Sequence, residues 1–295
     1  MLNRSDLELT IKYISMFIII LFTVVLTLNL TGCDQASQDL PLEVAEEDDL
    51  NNEEANGSSS DSGDEEIGED ESEIDVPPEE DNPEDGSPLI DHESDNENLS
   101  GVKVVSDGDY LLALVTKETT LKSDYHPTDL SPIPAYMFPS RELYLREEAL
   151  MYLTDLWNAA EADGVILKII SAYRSYSYQK SLFQSYANRY GETQANRFSA
   201  RAGQSEHQLG TTVDFGGTDV DLKAAFARTE QGQWLAENAH RFGFVLSYPE
   251  GKEEITGYIF EPWHYRYIGV GAAAEWKAYG LTLNEYLDSK PQYYD

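Results

Sequence analysis

Cysteine is almost absent from this chain of 295 residues, where Cys33 stands alone. One thiol excludes an intramolecular disulfide and leaves any metal centre to nitrogen and oxygen donors. Positive charge is scarce too: 20 Lys and Arg face 55 Asp and Glu, for a formal net charge of −35. No basic patch recommends nucleic acid as a partner. Internal repeats are also missing, so a solenoid or propeller has no support.

The acidity is unevenly spread, and it divides the chain into three parts. Residues 1–33 place Arg4 and Lys12 before an apolar run from Ile14 to Leu30 that ends in Leu-Thr-Gly-Cys at Cys33. This is the pattern of a signal peptide with a lipobox, which predicts lipidation of Cys33 and an extracytoplasmic protein anchored by lipid to the membrane, facing the cell wall. An uncleaved apolar anchor is the alternative, since the run nearly suffices to span a bilayer. Residues 34–100 hold 27 Asp and Glu and no Lys or Arg. Rich in Ser, Asn, Gly and Pro, this segment cannot offset the entropy cost of ordering and is expected to be a disordered, self-repelling linker. Residues 101–295 carry a net charge of only −8 and are long enough to bury a core.

Within residues 101–295 the apolar spacing alternates between helical and extended periods. Ala149, Leu150, Leu153, Leu156, Trp157 and Ala160 predict a helix over about 145–163, ended by Gly164. Ile166–Ile170 reads as a central strand, and a second helix is expected from Tyr176 to Tyr190. Further strands are expected at Tyr110–Val115, Thr211–Phe215, Phe244–Tyr248 and His264–Gly269, with helices near 232–242, 272–279 and 283–287. Lys122–Pro134 has the Pro, Asp and Ser density of an ordered loop. The fold class is therefore α+β, a single compact domain with a small central antiparallel sheet flanked by helices and preceded by the linker.

Two stretches bring chemistry. Ser-Glu-His-Gln-Leu-Gly-Thr-Thr-Val-Asp (Ser205–Asp214) and Glu-Pro-Trp-His-Tyr-Arg-Tyr (Glu261–Tyr267) supply two imidazoles and two carboxylates. A hydrolytic zinc site needs three N or O donors, an open position and an unligated base. His207, Asp214 and His264 can be the donors, with Glu261 as the base three residues before His264. Asp214 lies between Val213 and Phe215, where an unpaired charge is costly and a cation is expected. His92, His126 and His240 stand outside any such pattern and read as ordinary packed or surface residues.

These stretches contain every fixed position of SxHxxGxxxD and ExWHxRY, and Ser171–Gln179 contains SxYRSxxxQ. With them, roughly residues 115–287 resemble the VanY-type zinc D-alanyl-D-alanine carboxypeptidases. The resemblance implies zinc on His207, Asp214 and His264, Glu261 as general base and Arg174 as oxyanion stabiliser. It also implies that Gln179 and Ser205 contact the peptide and its terminal carboxylate. The implied substrate is the peptidoglycan stem peptide, cut before its C-terminal D-alanine by a monomeric enzyme. An L,D-carboxypeptidase acting on tetrapeptide stems would share these motifs, and a noncatalytic wall-binding lipoprotein would keep the fold without needing Glu261. Tyr173, Tyr176 and Trp263 are candidates for lining the pocket.

Overall fold

The computed structural model describes residues 101–138 and 141–295. The expected leader, Cys33, the acidic linker and His92 lie outside the described residues.

The strands β1 (Lys103–Val104) and β2 (Thr119–Thr120) pair in parallel, and β3 (Leu130–Pro132) pairs antiparallel with β4 (Tyr144–Arg146). Helix α1 (Glu147–Ala162) follows, then β5 (Lys168–Ser171), α2 (Tyr176–Tyr190) and α3 (Glu192–Phe198). Next come β6 (Thr212–Gly216), α4 (Glu230–Asn238), β7 (Phe244–Leu246) and α5 (Glu253–Thr256). The chain closes with β8 (His264–Tyr267), α6 (Val270–Tyr279) and α7 (Leu283–Asp288).

Local chemistry explains most of these boundaries. Glu147 and Glu148 occupy the first turn of α1, where carboxylates favour the helix dipole, and Gly164 takes the positive φ of +85° that stops it. Ser175 caps α2 by accepting a hydrogen bond from the Tyr178 amide. Thr282 and Glu285 form a reciprocal capping box on α7.

The third and largest sheet among the described residues, β5-β6-β8-β7, is the antiparallel platform of the domain. Its side chains alternate by the two-residue strand period. Val213, Phe215, Tyr265 and Tyr267 enter the main core with Leu153, Leu156 and Trp157 of α1 and Leu235 of α4. Each buried Leu there contributes about 1.5–3 kcal/mol of transfer free energy. The alternate residues Thr212, Asp214, His264 and Arg266 are equally buried but belong to no apolar cluster. The sheet therefore offers one apolar face and one polar, buried face.

Two expected elements differ. Tyr110–Val115 is no strand, because its carbonyls serve a side chain: Arg266 donates from Nη2 to the backbone oxygens of Leu111 (3.0 Å) and Ala113 (2.7 Å). The expected loop at 122–134 contains β3, which accommodates Pro132 at the end of a two-stranded ladder where no central hydrogen bond is lost. The short helices α3 and α5 went unforeseen.

Candidate active site

One cross-strand row carries the site. Ser171 of β5 is opposite Asp214 of β6, Asp214 is opposite His264 of β8, and the amide of Ser247 bonds the carbonyl of His264 at 3.3 Å. A β-bulge between Ile169 and Ser171 resets the register so that Ser171 meets Asp214. His207 comes from a 3-10 turn, Glu206–Leu209, whose first residue is capped by Ser205 through a 3.3 Å bond from the His207 amide. Gly210 ends that turn at φ +67°, a conformation glycine adopts without strain, and sends the chain into β6. Sequence neighbours seven residues apart are thus folded back onto one spot.

Ligand atoms of His207, Asp214 and His264 all lie within 4.8 Å of one another, and all three residues are buried. The two imidazoles are oriented differently. His207 Nδ1 donates to the Ala172 carbonyl at 2.7 Å, which leaves Nε2 facing Asp214 Oδ2 at 3.2 Å. His264 donates from Nε2 to Glu206 Oε2 at 3.0 Å, and its Nδ1 faces Asp214 Oδ1 at 3.2 Å. Each ring has one nitrogen fixed by a partner and the other aimed inward, the arrangement of metal-binding histidines. Asp214 Oδ1 is buried without a properly aligned hydrogen bond. A carboxylate with one orphaned oxygen, each of its oxygens facing one inward histidine nitrogen, fits a small, borderline-soft cation such as zinc.

The electrostatics agree. Burial alone would raise Asp214, but His207 and His264 outweigh it and hold its carboxyl well below the usual range. Burial followed by the Arg174 charge lowers His207. Burial would also lower His264, yet the bonds to Asp214 and Glu206 prevail and raise it to about 10. Glu261, buried and 3.4 Å from His264 Nδ1, is pushed up to about 8 mainly by burial, with Asp214 adding to the effect and His264 opposing it.

Arg174 sits between β5 and α2, where its amide bonds the His207 carbonyl at 3.3 Å. Its Nη2 reaches His207 Nε2 at 2.8 Å and Asp214 Oδ2 at 3.1 Å, so the guanidinium borders the donor set itself. Gln179 is fully buried with both ends engaged. Its Oε1 accepts from Arg174 at 2.9 Å and its Nε2 donates to the Ala200 carbonyl at 2.7 Å. Gln179 thus holds Arg174 in place. Ser205 does face the cleft, which is also lined by Arg174, Ser199, His207, Tyr248 and Tyr258, with Glu261 and His264 alongside. Trp263 belongs to the main core instead, and neither Tyr173 nor Tyr176 borders the cleft. A larger cavity of about 380 Å³, lined in part by Phe244, Tyr265 and Trp276, contains none of the chemistry-bearing residues.

Glu206 and Arg266 were missed as contributors. Glu206 accepts from His264, from Ser247 Oγ at 2.6 Å and from Arg266 Nη1 at 3.0 Å. Burial would raise its carboxyl, but Arg266 and His264 hold it at about 2. Both residues stand inside the two motifs, and a carboxylate next to one histidine with an arginine two residues after the other was the available signal.

Comparison with known proteins places this geometry. The family model described as VanY, D-alanyl-D-alanine carboxypeptidase, matches residues 142–270. A putative carboxypeptidase of Bacillus subtilis, YodJ, is 37% identical over 201 residues, covering 66% of this chain and 73% of the relative. The chain belongs to the VanY family of D-alanyl-D-alanine carboxypeptidases. This VanY-family chain is also similar to the solved LdcB LD-carboxypeptidase, with 38% identity and a TM-score of 0.61 over 65% of this chain and 92% of that one. A vancomycin-resistance D,D-pentapeptidase VanY solved in complex with Zn(II) shares 34% identity and a TM-score of 0.52, over 60% of this chain and 99% of that one. The family member described here is a zinc metallopeptidase, and the His207, Asp214 and His264 cluster is a group able to hold the ion.

Proposed function

We propose that this enzyme removes the C-terminal D-alanine from peptidoglycan stem peptides, with His207, Asp214 and His264 as metal ligands. The observation that carries the reading is a buried carboxyl, Glu261, placed beside a three-donor cluster without forming part of it. A bound zinc ion supplies Lewis acidity, polarising a carbonyl and making water a stronger acid. Glu261 takes the proton from the attacking water on its carboxylate and delivers it to the leaving amine, so that water adds across the C–N bond. Arg174, held by Gln179 and Ser171, presents a fixed positive charge to the oxygen on which negative charge develops. Such a preorganised donor is commonly worth about 3 kcal/mol of barrier. Ser205 at the cleft wall offers a hydroxyl to the peptide terminus, and Gln179 acts on the substrate through Arg174.

Cleavage of tetrapeptide stems is the second reading, supported by the likeness to the LdcB LD-carboxypeptidase. The two differ in the stem residue upstream of the bond, and incubation of purified muropeptides followed by mass spectrometry separates them. Pentapeptides losing one D-alanine support the first reading, trimmed tetrapeptides the second, and no cleavage by zinc-loaded protein sinks both.

The same proposal covers location. Residues 1–33 direct export, Cys33 takes the lipid, and residues 34–100 tether the domain of residues 101–295 outside the membrane. A coil of 67 residues has a root-mean-square reach of about 45 Å, which charge repulsion extends. Among the described residues no helix is long and apolar enough to cross a membrane.

A further inference from the structure

Tyr258 lies three residues before Glu261, on the segment that follows α5. Gly257 ends α5 in the left-handed region at φ +80°, and the Thr256 hydroxyl donates to the Tyr258 carbonyl at 3.1 Å. The Ile259 amide bonds the Arg197 carbonyl at 3.0 Å, tying the segment to the end of α3. The ring is fixed from two sides. It packs on Tyr248 with centroids 4.8 Å apart, and the Lys117 ammonium lies 4.6 Å from its centre. Tyr248 in turn packs on the His264 ring at 4.7 Å, so Tyr258 is braced against the metal-binding edge of the cleft.

The backbone is bonded and the ring is packed, yet the hydroxyl has no hydrogen-bond partner although it is buried. Burying a hydroxyl unpaired costs free energy that a phenylalanine at the same place would not. The residue nevertheless borders the cleft that holds Ser205, Glu261 and His264. An unpaired donor on a residue that borders a cleft is a position where a ligand can supply the missing partner.

We infer that Tyr258 is a substrate-binding residue whose hydroxyl donates a hydrogen bond to an oxygen of the bound peptide. This rests on the carboxypeptidase reading and adds a contact from the chain segment that also carries Glu261. Burial, then the charges of Glu261 and Glu206, keep the Tyr258 hydroxyl protonated, so it is available as a donor to a peptide oxygen. The bond forms in the bound ground state and persists through the reaction, so its loss acts on KM. Its absence in the substrate-free enzyme means that removing the hydroxyl relieves an unpaired group.

The test is Tyr258→Phe in the full chain loaded with zinc, which removes one oxygen and keeps the ring. KM for a peptide ending in D-Ala-D-Ala should rise about tenfold, as expected for one buried hydrogen bond, with kcat changed less than about twofold. The melting temperature of the substrate-free protein should rise, by about 2–4 °C if roughly 1 kcal/mol is relieved. A lower melting temperature would show the hydroxyl paired and structural, overturning the inference. Unchanged KM in an active enzyme would overturn it as well, as would a fall confined to kcat. Failure of the unaltered chain to cleave any stem peptide is a different result, which removes the carboxypeptidase reading and this inference together.

Discussion

The chemistry of this site depends on which nitrogen of each histidine is already engaged. His207 gives Nδ1 to a carbonyl and His264 gives Nε2 to Glu206, so each has one inward nitrogen for a cation. Replacing Glu261 with Gln should leave zinc stoichiometry intact and remove most turnover, whereas His264→Ala should lose both, as metal analysis beside a peptidase assay would show. Release of the metal by Glu261→Gln would make Glu261 a ligand. Glu206→Gln should weaken zinc binding about 10–100-fold, because an outer carboxylate orients and enriches the ligating ring. It should also destabilise the fold by about 3 kcal/mol, since Arg266, with no exposure to solvent, would lose its buried counter-charge. Competitive chelator titration and urea unfolding measure the two effects. The pH dependence has a definite sign. Metal-free His264 is raised to about 10 by Asp214 and Glu206, so it is protonated at neutral pH and zinc must displace that proton. Apparent zinc affinity should therefore fall as pH falls from about 10, with at least one proton released per ion at neutral pH. Calorimetry in buffers of different ionisation enthalpy reads the proton count, and zero would show that His264 is neutral before the metal arrives.

At the scale of elements, the site is a consequence of register. Asp214 and His264 meet because β6 and β8 pair with Val213 opposite Tyr265, and a slip of one residue would send both into the apolar core. The 3-10 turn before β6 must end in one residue for this to hold. Gly210 does so at φ +67°, and a Cβ there would lie 3.0 Å from side-chain atoms of Leu130 and Pro127. Gly210→Ala should therefore cost about 1–2 kcal/mol of stability from the left-handed backbone alone. It should also weaken zinc binding, because the turn that positions His207 would shift against β6. Unaltered unfolding and metal titrations in that variant would show that the turn relaxes without moving the ligand. The misread segment 110–115 teaches the complementary lesson. Its apolar residues suit a strand, but its carbonyls bind the guanidinium of Arg266, a partner more than 150 residues away. Local propensity carries no trace of such a partner.

For the whole molecule, composition sets residues 101–295 apart from the apolar and acidic stretches before them. Residues 101–295 hold the core and every candidate site residue except Cys33, so a fragment of those residues should fold, bind one zinc ion per chain and lose activity with chelator. Its melting temperature should also drop when zinc is removed, since an ion bound only by the folded state stabilises it. Sub-stoichiometric zinc in active fragment would contradict the site. Full-length Cys33→Ser should keep peptidase activity in solution while no longer incorporating labelled fatty acid, and continued labelling would point to the uncleaved-anchor alternative.

The sequence by itself determined the α+β class and most element boundaries, and it offered His207, Asp214 and His264 as candidate donors with Glu261 as candidate base. These were legible because each is a local signal: apolar period, capping residue or short motif. Only the tertiary structure decided that Ser171, Asp214 and His264 form one cross-strand row, and that Glu206 and Arg266 support His264 from below. It also decided that Gln179 holds Arg174, that Trp263 packs in the core and that Tyr258, whose hydroxyl is unpaired, borders the cleft. The physical reason is the same in each case. A motif states which groups are available, but partnership between groups distant along the chain follows from strand register and burial, which exist only once the chain has closed on itself.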